Sequence, residues 1–179
     1  MTKSYDNNTP LGAGGKTLLL IRHAKSDWST PSLSDFDRPL NERGKRDAPD
    51  MAKRLSGKKI KIDAFVSSPA KRAKKTAAIF AKEYKIDKED ILFIEALYAA
   101  PEGVFDEVID QLDDRFDTVA IFSHNPGITD FANSLTDVRI DNIPTCGIFA
   151  VRSNAKKWTG FKKAEKQFWF ADYPKAGQD

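Results

Sequence analysis

The sequence predicts an α/β fold with three layers, in which a mostly parallel sheet carries helices on both faces. Short apolar runs alternate with amphipathic segments along the chain, and strands that alternate with helices are typical of parallel sheets. The chain has 179 residues, of which 40% are hydrophobic, and this suits one domain with a substantial core. We expect a single domain over residues 16–179, preceded by a flexible, Gly-rich tail over residues 1–15.

The first strand and helix follow the Gly-rich start of the chain. Residues 17–21 include four consecutive aliphatic residues after a turn, which is the pattern of a strand buried on both faces. Apolar residues then recur at helical spacing. Because Pro49 inside a helix would lose a hydrogen bond, the regular helix is expected to begin near Asp47, after a first turn or kinked entry over residues 41–46.

The next strand, helix and strand lie between residues 64 and 94. Ala64–Ser67 is a short apolar run and is predicted to be the second strand. Ser68 is expected to be the N-cap of the following helix and Pro69 its first residue, since both residue types favour those positions. This helix is expected to run to about residue 84. Residues 91–94 are the candidate for a third strand.

The second half of the chain continues the alternation. Pro101 is expected to open a helix, and its apolar residues give the clearest helical periodicity in the sequence. Thr118–Ser123 is predicted to be a strand, and a helix is expected over Gly127–Leu135. Residues 147–152 and 167–171 are predicted to be closing strands. The order of elements indicates a mostly parallel sheet with one antiparallel strand at its edge.

Composition excludes several classes of protein. The apolar runs are far shorter than the ~20 residues of a transmembrane helix, and the N-terminus lacks the apolar segment of a secretory signal. The net charge of +3 permits an anionic substrate but gives no argument for nucleic acid. The single cysteine, Cys146, fits a reducing compartment. We therefore expect a cytoplasmic protein with no membrane and no nucleic-acid partner.

The stretch GGKT at residues 14–17 resembles the end of a P-loop, but its context argues against one. A P-loop has Gly, four residues and then Gly-Lys-Ser/Thr, and it follows a strand and opens a helix. Here Pro10 stands where the leading glycine should be, and the glycines precede a strand. No helix N-terminus follows that could hold phosphate groups. We therefore interpret GGKT as the lead-in to the first strand.

Two histidines occur in the chain, and each follows an apolar run. Arg22 and His23 end the first predicted strand, His124 follows a later strand, and Arg72 lies just after a third. In an open parallel sheet the carboxyl ends of the strands share one edge, where ligands bind. We therefore expect these four side chains to meet in one crevice.

The chemistry of this set suits phosphoryl transfer. A neutral imidazole has a nitrogen lone pair that can attack phosphorus. Arginines bind phosphoryl oxygens through charged, planar N–H donors, and amides at the start of a helix add a positive dipole end. The sequence shows no clustered metal ligands, so neither a metal nor another cofactor is expected. A histidine taken alone is more often a structural residue, and it is the joint occurrence that favours catalysis.

Three separated motifs resemble the histidine phosphatase superfamily, which is also called phosphoglycerate mutase-like. They are LLLIRHAKSDW, SSPAKRAKKTA and IFSHNPGI, in that order. With DRPLNERG and the short chain, they look most similar to SixA-type phosphohistidine phosphatases. The resemblance implies the phosphoglycerate mutase-like fold and His23 as the nucleophile. The residues implied for the phosphate pocket and the substrate are Arg22, Arg72, His124, Ser29 and Asn125.

Two features depart from the pattern of the superfamily. Many relatives that cleave phosphate esters carry an acidic residue past the third strand that protonates the leaving oxygen, and here that region offers Glu95 and Glu102 as weak candidates. A phosphoramidate such as phosphohistidine leaves more readily than an alkoxide, so this departure favours phosphohistidine. Ala24 stands where the Arg-His-Gly motif has glycine, and its methyl group is expected to affect rate more than reaction type.

The favoured function is that of a metal-independent phosphatase with a covalent phosphohistidine intermediate. Its expected partner is a protein that carries phosphohistidine. A phosphomonoesterase for a small phosphorylated metabolite is one alternative, and a non-catalytic phosphate-binding module is another.

Overall fold

A computed structural model describes residues 14–176 of the chain. This part contains six strands, four α-helices and three short 3-10 helices. The strands are β1 (Thr17–Arg22), β2 (Ala64–Ser67), β3 (Leu92–Phe93), β4 (Thr118–Ser123), β5 (Ile148–Ser153) and β6 (Lys166–Asp172). The helices are α1 (Glu42–Gly57), α2 (Lys71–Glu83), α3 (Glu102–Asp110) and α4 (Gly127–Leu135). The predicted tail lies outside the described residues, apart from Gly14 and Gly15.

The strands form one sheet with the order β3-β2-β4-β1-β5-β6. The first four strands of this order are parallel to one another, which confirms the predicted α/β fold with a mostly parallel sheet. β5 runs antiparallel to both of its neighbours. The sequence predicted an antiparallel strand at the edge, but β5 lies one place inside it. The edge position is taken by β6, because strands that are consecutive in the chain tend to be neighbours in the sheet.

Helices cover both faces of the sheet, as predicted, and enclose two parts of the core. Met51 and Phe80 belong to the cluster under α1 and α2, whereas Phe105 and Phe131 belong to the cluster under α3 and α4. β1 and β4 contribute to both clusters, because successive side chains of a strand point to opposite faces. Among the described helices, none combines the length and the apolar composition that crossing a membrane requires.

Helix α1 begins at Glu42, earlier than the start near Asp47 that Pro49 suggested. Asn41 caps the helix, since its side-chain oxygen accepts a hydrogen bond from the Gly44 N–H at 2.9 Å. Pro49 lies inside the helix and removes one backbone hydrogen bond there. The helix continues past it because its apolar face is buried, and tertiary packing of such a face supplies most of the stability of a helix in a protein.

Helix α2 begins at Lys71, and Ala70 rather than Ser68 takes the N-cap position. The Ser68 hydroxyl accepts a hydrogen bond from the Ala70 N–H at 3.3 Å and lies 2.7 Å from a ring nitrogen of His124. The Ser68 side chain therefore bonds to groups that precede or face the helix and does not cap it. The prediction of Ser68 as N-cap and Pro69 as first helical residue was therefore wrong, because the helix begins two residues later.

Strand β3 is shorter than the predicted strand over residues 91–94. It consists of Leu92 and Phe93, both exposed, and it pairs with β2 at the edge of the sheet. The Ile94 N–H still donates to the Ser67 carbonyl at 3.0 Å. The chain then turns into a 3-10 helix over Glu95–Leu97, which ends the strand.

Lys16, the lysine of GGKT, is a buried structural residue at the start of β1. Its side chain is 2% exposed. The ammonium donates to the carbonyl oxygens of Asp114 and Phe116 at 2.6 and 3.0 Å and to the Asp117 carboxylate at 2.9 Å. An ammonium has three N–H donors, and all three are used here. Lys16 precedes β1, whereas His23 follows it. GGKT is therefore the lead-in to the first strand, as predicted.

Candidate active site

The carboxyl ends of three parallel strands bring the four predicted side chains to one cavity. Arg22 ends β1 and is in register with Ser123 of β4, so His23 and His124 follow neighbouring strands. Arg72 is the second residue of α2, just past β2. The cavity has a volume of about 340 Å³. Its lining includes Arg22, His23, Asp35, Arg72, Tyr98 and His124.

His23 is held in one orientation with one ring nitrogen directed to the backbone. Its side chain is buried, and Nδ1 lies 2.8 Å from the Ala24 carbonyl oxygen. Since a carbonyl can only accept, we assign the proton of the neutral ring to Nδ1, which leaves the lone pair on Nε2. The Ala24 N–H donates to Thr76 Oγ1 at 3.0 Å, and this hydroxyl donates to the Arg72 carbonyl at 2.8 Å. The segment that carries the nucleophile is thus tied to α2.

His124 lies beside His23, with 5.1 Å between the ring centroids. It is buried, and its Nε2 lies 2.7 Å from Ser68 Oγ. Its Nδ1 is buried and has no hydrogen-bond partner among the described residues. A buried polar atom without a partner costs about 1–3 kcal/mol, so a group that enters the cavity and bonds to Nδ1 would relieve this cost.

Both imidazoles are neutral over the ordinary pH range. Burial lowers the pKa of His23 to about 3, and the positive charges around it act in the same direction. Burial and the nearby Arg72 lower the pKa of His124 to about 4. Desolvation disfavours the charged form of a histidine. The lone pair of His23 Nε2 is therefore not lost to a proton at neutral pH.

These lowered pKa values predict that the protein becomes less stable as the pH falls from 6.5 to about 5. In this window unfolded histidines take up protons, whereas His23 and His124 stay neutral in the fold. Each histidine should lower the free energy of unfolding by about 1.4 kcal/mol per pH unit near pH 5. Urea unfolding at pH 7, 6 and 5 measures this slope. In the His124→Asn variant this slope should be smaller by the contribution of one histidine. An unchanged slope would contradict the lowered pKa of His124.

Arg72 contacts both the nucleophile and an acidic residue of the cavity wall. Its side chain is 6% exposed, and its Nε donates to His23 Nε2 at 3.3 Å. Its two terminal nitrogens donate to Asp35, one to the carbonyl oxygen at 2.6 Å and the other to the carboxylate at 3.0 Å. The three nitrogens of the guanidinium are thus all oriented by contacts within the protein. The neighbouring Lys71, Lys74 and Lys75 are exposed on the same helix.

Arg22 and Asn125 are oriented together by the segment that precedes β5. Arg22 Nη1 donates to Asn142 Oδ1 at 3.1 Å and to the Ile143 carbonyl at 2.9 Å. Asn125 donates to the same two acceptors and lines the cavity. Arg22 Nε is buried without a partner among the described residues. Burial and the charge of Arg72 lower the pKa of Arg22 from its usual value. The two arginines thus hold two positive charges close together in one small space.

Two backbone amides at the start of α2 are already bonded within the protein. The Lys71 N–H donates to the Phe36 carbonyl at 3.0 Å, and the Ala70 N–H donates to Ser68. The sequence suggested that amides at this helix start add to phosphate binding. At these two positions the amides are already bonded, one to the loop before α1 and the other to the Ser68 side chain.

A model of the histidine phosphatase superfamily (branch 1) matches residues 18–140. The chain belongs to this superfamily. Membership confirms the resemblance inferred from the three motifs and, with it, the prediction of a histidine-type phosphatase.

Relatives of this superfamily member include two proteins without an assigned activity. The chloroplastic protein At3g52155 of Arabidopsis thaliana is 28% identical over 84% of this chain and 72% of its own length. The protein Rv1276c of Mycobacterium tuberculosis is 32% identical over 74% of this chain and 86% of its own. Both similarities extend over most of the domain.

Solved structures share the fold of this histidine phosphatase. A SixA structure from Agrobacterium tumefaciens has a TM-score of 0.74 and 23% identity, and covers 89% of this chain and 99% of its own. The protein histidine phosphatase SixA complexed with tungstate has a TM-score of 0.75 and 20% identity, over 88% and 97% of the two chains. A mycobacterial glucosyl-3-phosphoglycerate phosphatase has a TM-score of 0.65 and 13% identity, over 88% and 100%. At these identities the likeness establishes the fold alone.

Asp35 is the carboxylate of this cavity, and sequence reasoning missed it. One carboxylate oxygen accepts from Arg38 at 2.6 Å, and the other accepts from Arg72 and from Tyr98 at 2.8 Å. Partial burial raises the pKa of Asp35, but the hydrogen bonds from Tyr98 and Arg38 and the charge of Arg72 outweigh it and hold this pKa well below its usual range. Asp35 is therefore ionised at neutral pH. Asp35 lies just before the DRPLNERG stretch, in a loop without the periodicity of a helix or strand.

The two weak candidates for a general acid lie elsewhere. Glu95 begins a 3-10 helix and Glu102 begins α3, and neither lines the cavity. Both are exposed. Glu102 lies in the first turn of its helix, where a negative charge is favoured by the helix dipole.

Trp28 rather than Ser29 lines the mouth of the cavity. Trp28 is 70% exposed and stacks on Arg38, whose guanidinium carbon lies 3.5 Å from the ring centroid. The Ser29 N–H donates to Asp27 Oδ1 at 2.7 Å, and Ser29 is absent from the lining. The local turn therefore directs the predicted substrate contact away from the cavity and presents an aromatic ring instead.

Proposed function

We propose that this chain is a metal-independent phosphatase that forms a covalent phosphohistidine intermediate on His23 and acts on phosphohistidine in proteins. The observation that carries the proposal is the neutral imidazole of His23, whose Nε2 lone pair lies in one small cavity with two arginines. A cytoplasmic location belongs to the same proposal, because the single Cys146 is buried as a free thiol and needs no oxidising compartment.

The first step transfers the phosphoryl group to the protein. Arg22 and Arg72 bind the phosphoryl oxygens, and the Nε–H of Arg72 exchanges its contact with His23 for one with the substrate. His23 Nε2 then attacks phosphorus, and the bond from phosphorus to the substrate nitrogen breaks. The substrate reacts as the form whose other ring nitrogen has already taken a proton from solvent, so its imidazole leaves neutral, and the phosphorylated His23 keeps its proton on Nδ1 and is cationic. Fixed positive donors stabilise the charge that develops on the oxygens.

The second step returns the protein to its starting state. A water oxygen bonds to phosphorus, and the bond between phosphorus and His23 Nε2 breaks. Both protons of the water stay on the phosphate, which leaves as dihydrogen phosphate, and His23 is again neutral with its proton on Nδ1. His124, whose Nδ1 has no partner among the described residues, provides a further contact for the phosphoryl group in both steps.

The preference for phosphohistidine follows from the carboxylate in the cavity. When a phosphate ester is cleaved, its alcohol leaves as an alkoxide unless an acid gives it a proton. Asp35 does not supply this proton, because it is ionised and already accepts four hydrogen bonds. Phosphohistidine needs no such acid from the protein, because a solvent proton on its other ring nitrogen already makes the imidazole a neutral leaving group. The tungstate complex of the protein histidine phosphatase SixA, which shares this fold, also supports a tetrahedral oxyanion as ligand.

The proposal is tested by hydrolysis of two substrates in the presence of EDTA. A phosphohistidine peptide is expected to react with a kcat/KM at least ~10²-fold above that of the matching phosphoserine peptide, because the alkoxide of the serine needs a proton donor. Phosphate release is measured for both. Faster hydrolysis of the ester would favour a phosphomonoesterase for a small metabolite. Phosphate binding without hydrolysis of either substrate would favour a non-catalytic module.

A further inference from the structure

A second cavity lies beside the catalytic one, and three of its lining residues are cations. It has a volume of about 390 Å³. Its walls include Arg43, Arg46, Asp47, Thr145, Tyr173 and Lys175, and we call it the basic cavity. Thr145 lines both cavities. The two spaces therefore share a wall.

The walls of the basic cavity are anchored to the backbone around the nucleophile. On one side the Cys146 N–H donates to the carbonyl oxygens of Arg22 and His23, both at 3.1 Å. On the other side α1 packs against Lys25, where a Cβ on Gly44 would lie 2.2 Å from the Lys25 carbonyl oxygen. Glycine alone permits so close an approach. The basic cavity thus has a fixed position relative to His23.

One of the three cations is matched by a carboxylate within the cavity. Arg43 pairs with Asp47 at 3.4 Å and donates to Thr145 Oγ1 at 3.2 Å. These contacts fix the arginine as part of the wall between the cavities. The other two cations carry the net positive charge of this space.

The side chains of Arg46 and Lys175 make no hydrogen bond or ion pair with any residue in the described range 14–176. Glu42, one turn before Arg46, pairs with Lys45 at 2.7 Å, so its charge is already matched. Two exposed cations beside a cavity attract anionic groups and raise their local concentration. A ligand that places negative charge here would meet two cations that form no ion pair within the described residues, and Glu42 interacts with Arg46 only at longer range.

We propose that the basic cavity binds acidic side chains that flank the phosphorylated histidine of a protein substrate, while the phosphoryl group lies in the catalytic cavity. This inference rests on the proposed function, because it requires a protein to present the phosphoryl group. Arg46 and Lys175 are exposed, unlike the buried Arg72, and long exposed cations suit the rim of a protein interface. Tyr173, which is 40% exposed, adds the aromatic surface that such interfaces favour.

The inference is tested by the binding of two peptides to the His23→Ala variant, which cannot consume them. Both carry phosphohistidine, and the flanking residues are two glutamates in one and two glutamines in the other. We expect the acidic peptide to bind about tenfold more tightly at low salt, through two exposed charge contacts. When Arg46→Gln and Lys175→Gln are added to His23→Ala, the preference for the acidic peptide should fall below about twofold. Lys53→Gln and Lys163→Gln, added in the same way, also remove two exposed charges but should leave the preference unchanged.

The outcomes separate the two proposals. Equal binding of the two peptides, or a preference that survives Arg46→Gln/Lys175→Gln, overturns the basic cavity as a substrate site. Failure of the unaltered protein to hydrolyse either peptide overturns the proposed function. Because binding is measured apart from turnover, each result applies to one proposal. The preference should also weaken as salt is added, since exposed charges are screened.

Discussion

Replacement of His23 by alanine is expected to abolish turnover, with a loss of at least ~10⁴-fold in kcat, because the covalent route needs its nitrogen. The Ala24 carbonyl holds Nδ1, so the phosphoryl group should attach to Nε2. Rapid acid-free quenching with labelled substrate, followed by phosphorus NMR of the denatured protein, identifies the nitrogen. The unaltered protein should show phosphorylation at Nε2 of His23, and the variant should show none.

His124→Ala is the matched control, because the chain has two histidines and their rings are 5.1 Å apart. This variant should lose ~10²–10³ in rate, as when one oxyanion donor is removed, and should still form a phosphoenzyme on His23. A phosphoenzyme that persists on His124 in the His23→Ala variant would reverse the assignment of nucleophile and donor. Full activity of His23→Ala would end the covalent mechanism.

The parts of the fold that depend on burial could be predicted from sequence. The aliphatic residues Leu18–Leu20 are fully buried in β1, and a central parallel strand requires such a run. Pro49 misled the prediction because its local cost is visible in the sequence, whereas the buried face that outweighs it is a tertiary feature. The placement of β5 inside the edge depends on which strand β6 pairs with, and no local pattern encodes this.

The site was predictable where it follows strand ends and was not where it follows a loop. Arg22, His23 and His124 lie at carboxyl ends of parallel strands, a position that topology links to ligand binding. Asp35 contacts Arg72 across 37 residues of chain, from a loop with neither periodicity nor a motif of its own. Ser29 was implied by the resemblance to the superfamily, but its amide is used by a local turn.

Arg72→Ala is expected to lower kcat/KM by ~10²–10³, comparable to the loss of an oxyanion donor. The change removes the positive charge next to His23 Nε2 and leaves the Asp35 carboxylate in the cavity with one cation fewer. Both effects disfavour an incoming anion. Steady-state kinetics and inhibition by tungstate measure them, and the inhibition constant should rise together with the loss in kcat/KM.

Arg72→Lys separates charge from geometry at the same position. Lysine keeps the positive charge, but its single terminal nitrogen cannot contact both His23 and Asp35 as the planar guanidinium does. We therefore expect the kcat/KM of the Arg72→Lys variant to lie less than about tenfold above that of the alanine variant. Arg115→Ala, which removes an exposed arginine paired with Asp113, should match the unaltered protein. Full recovery by lysine would mean that charge alone suffices, and that the contact between Arg72 and Asp35 does not position the guanidinium for catalysis.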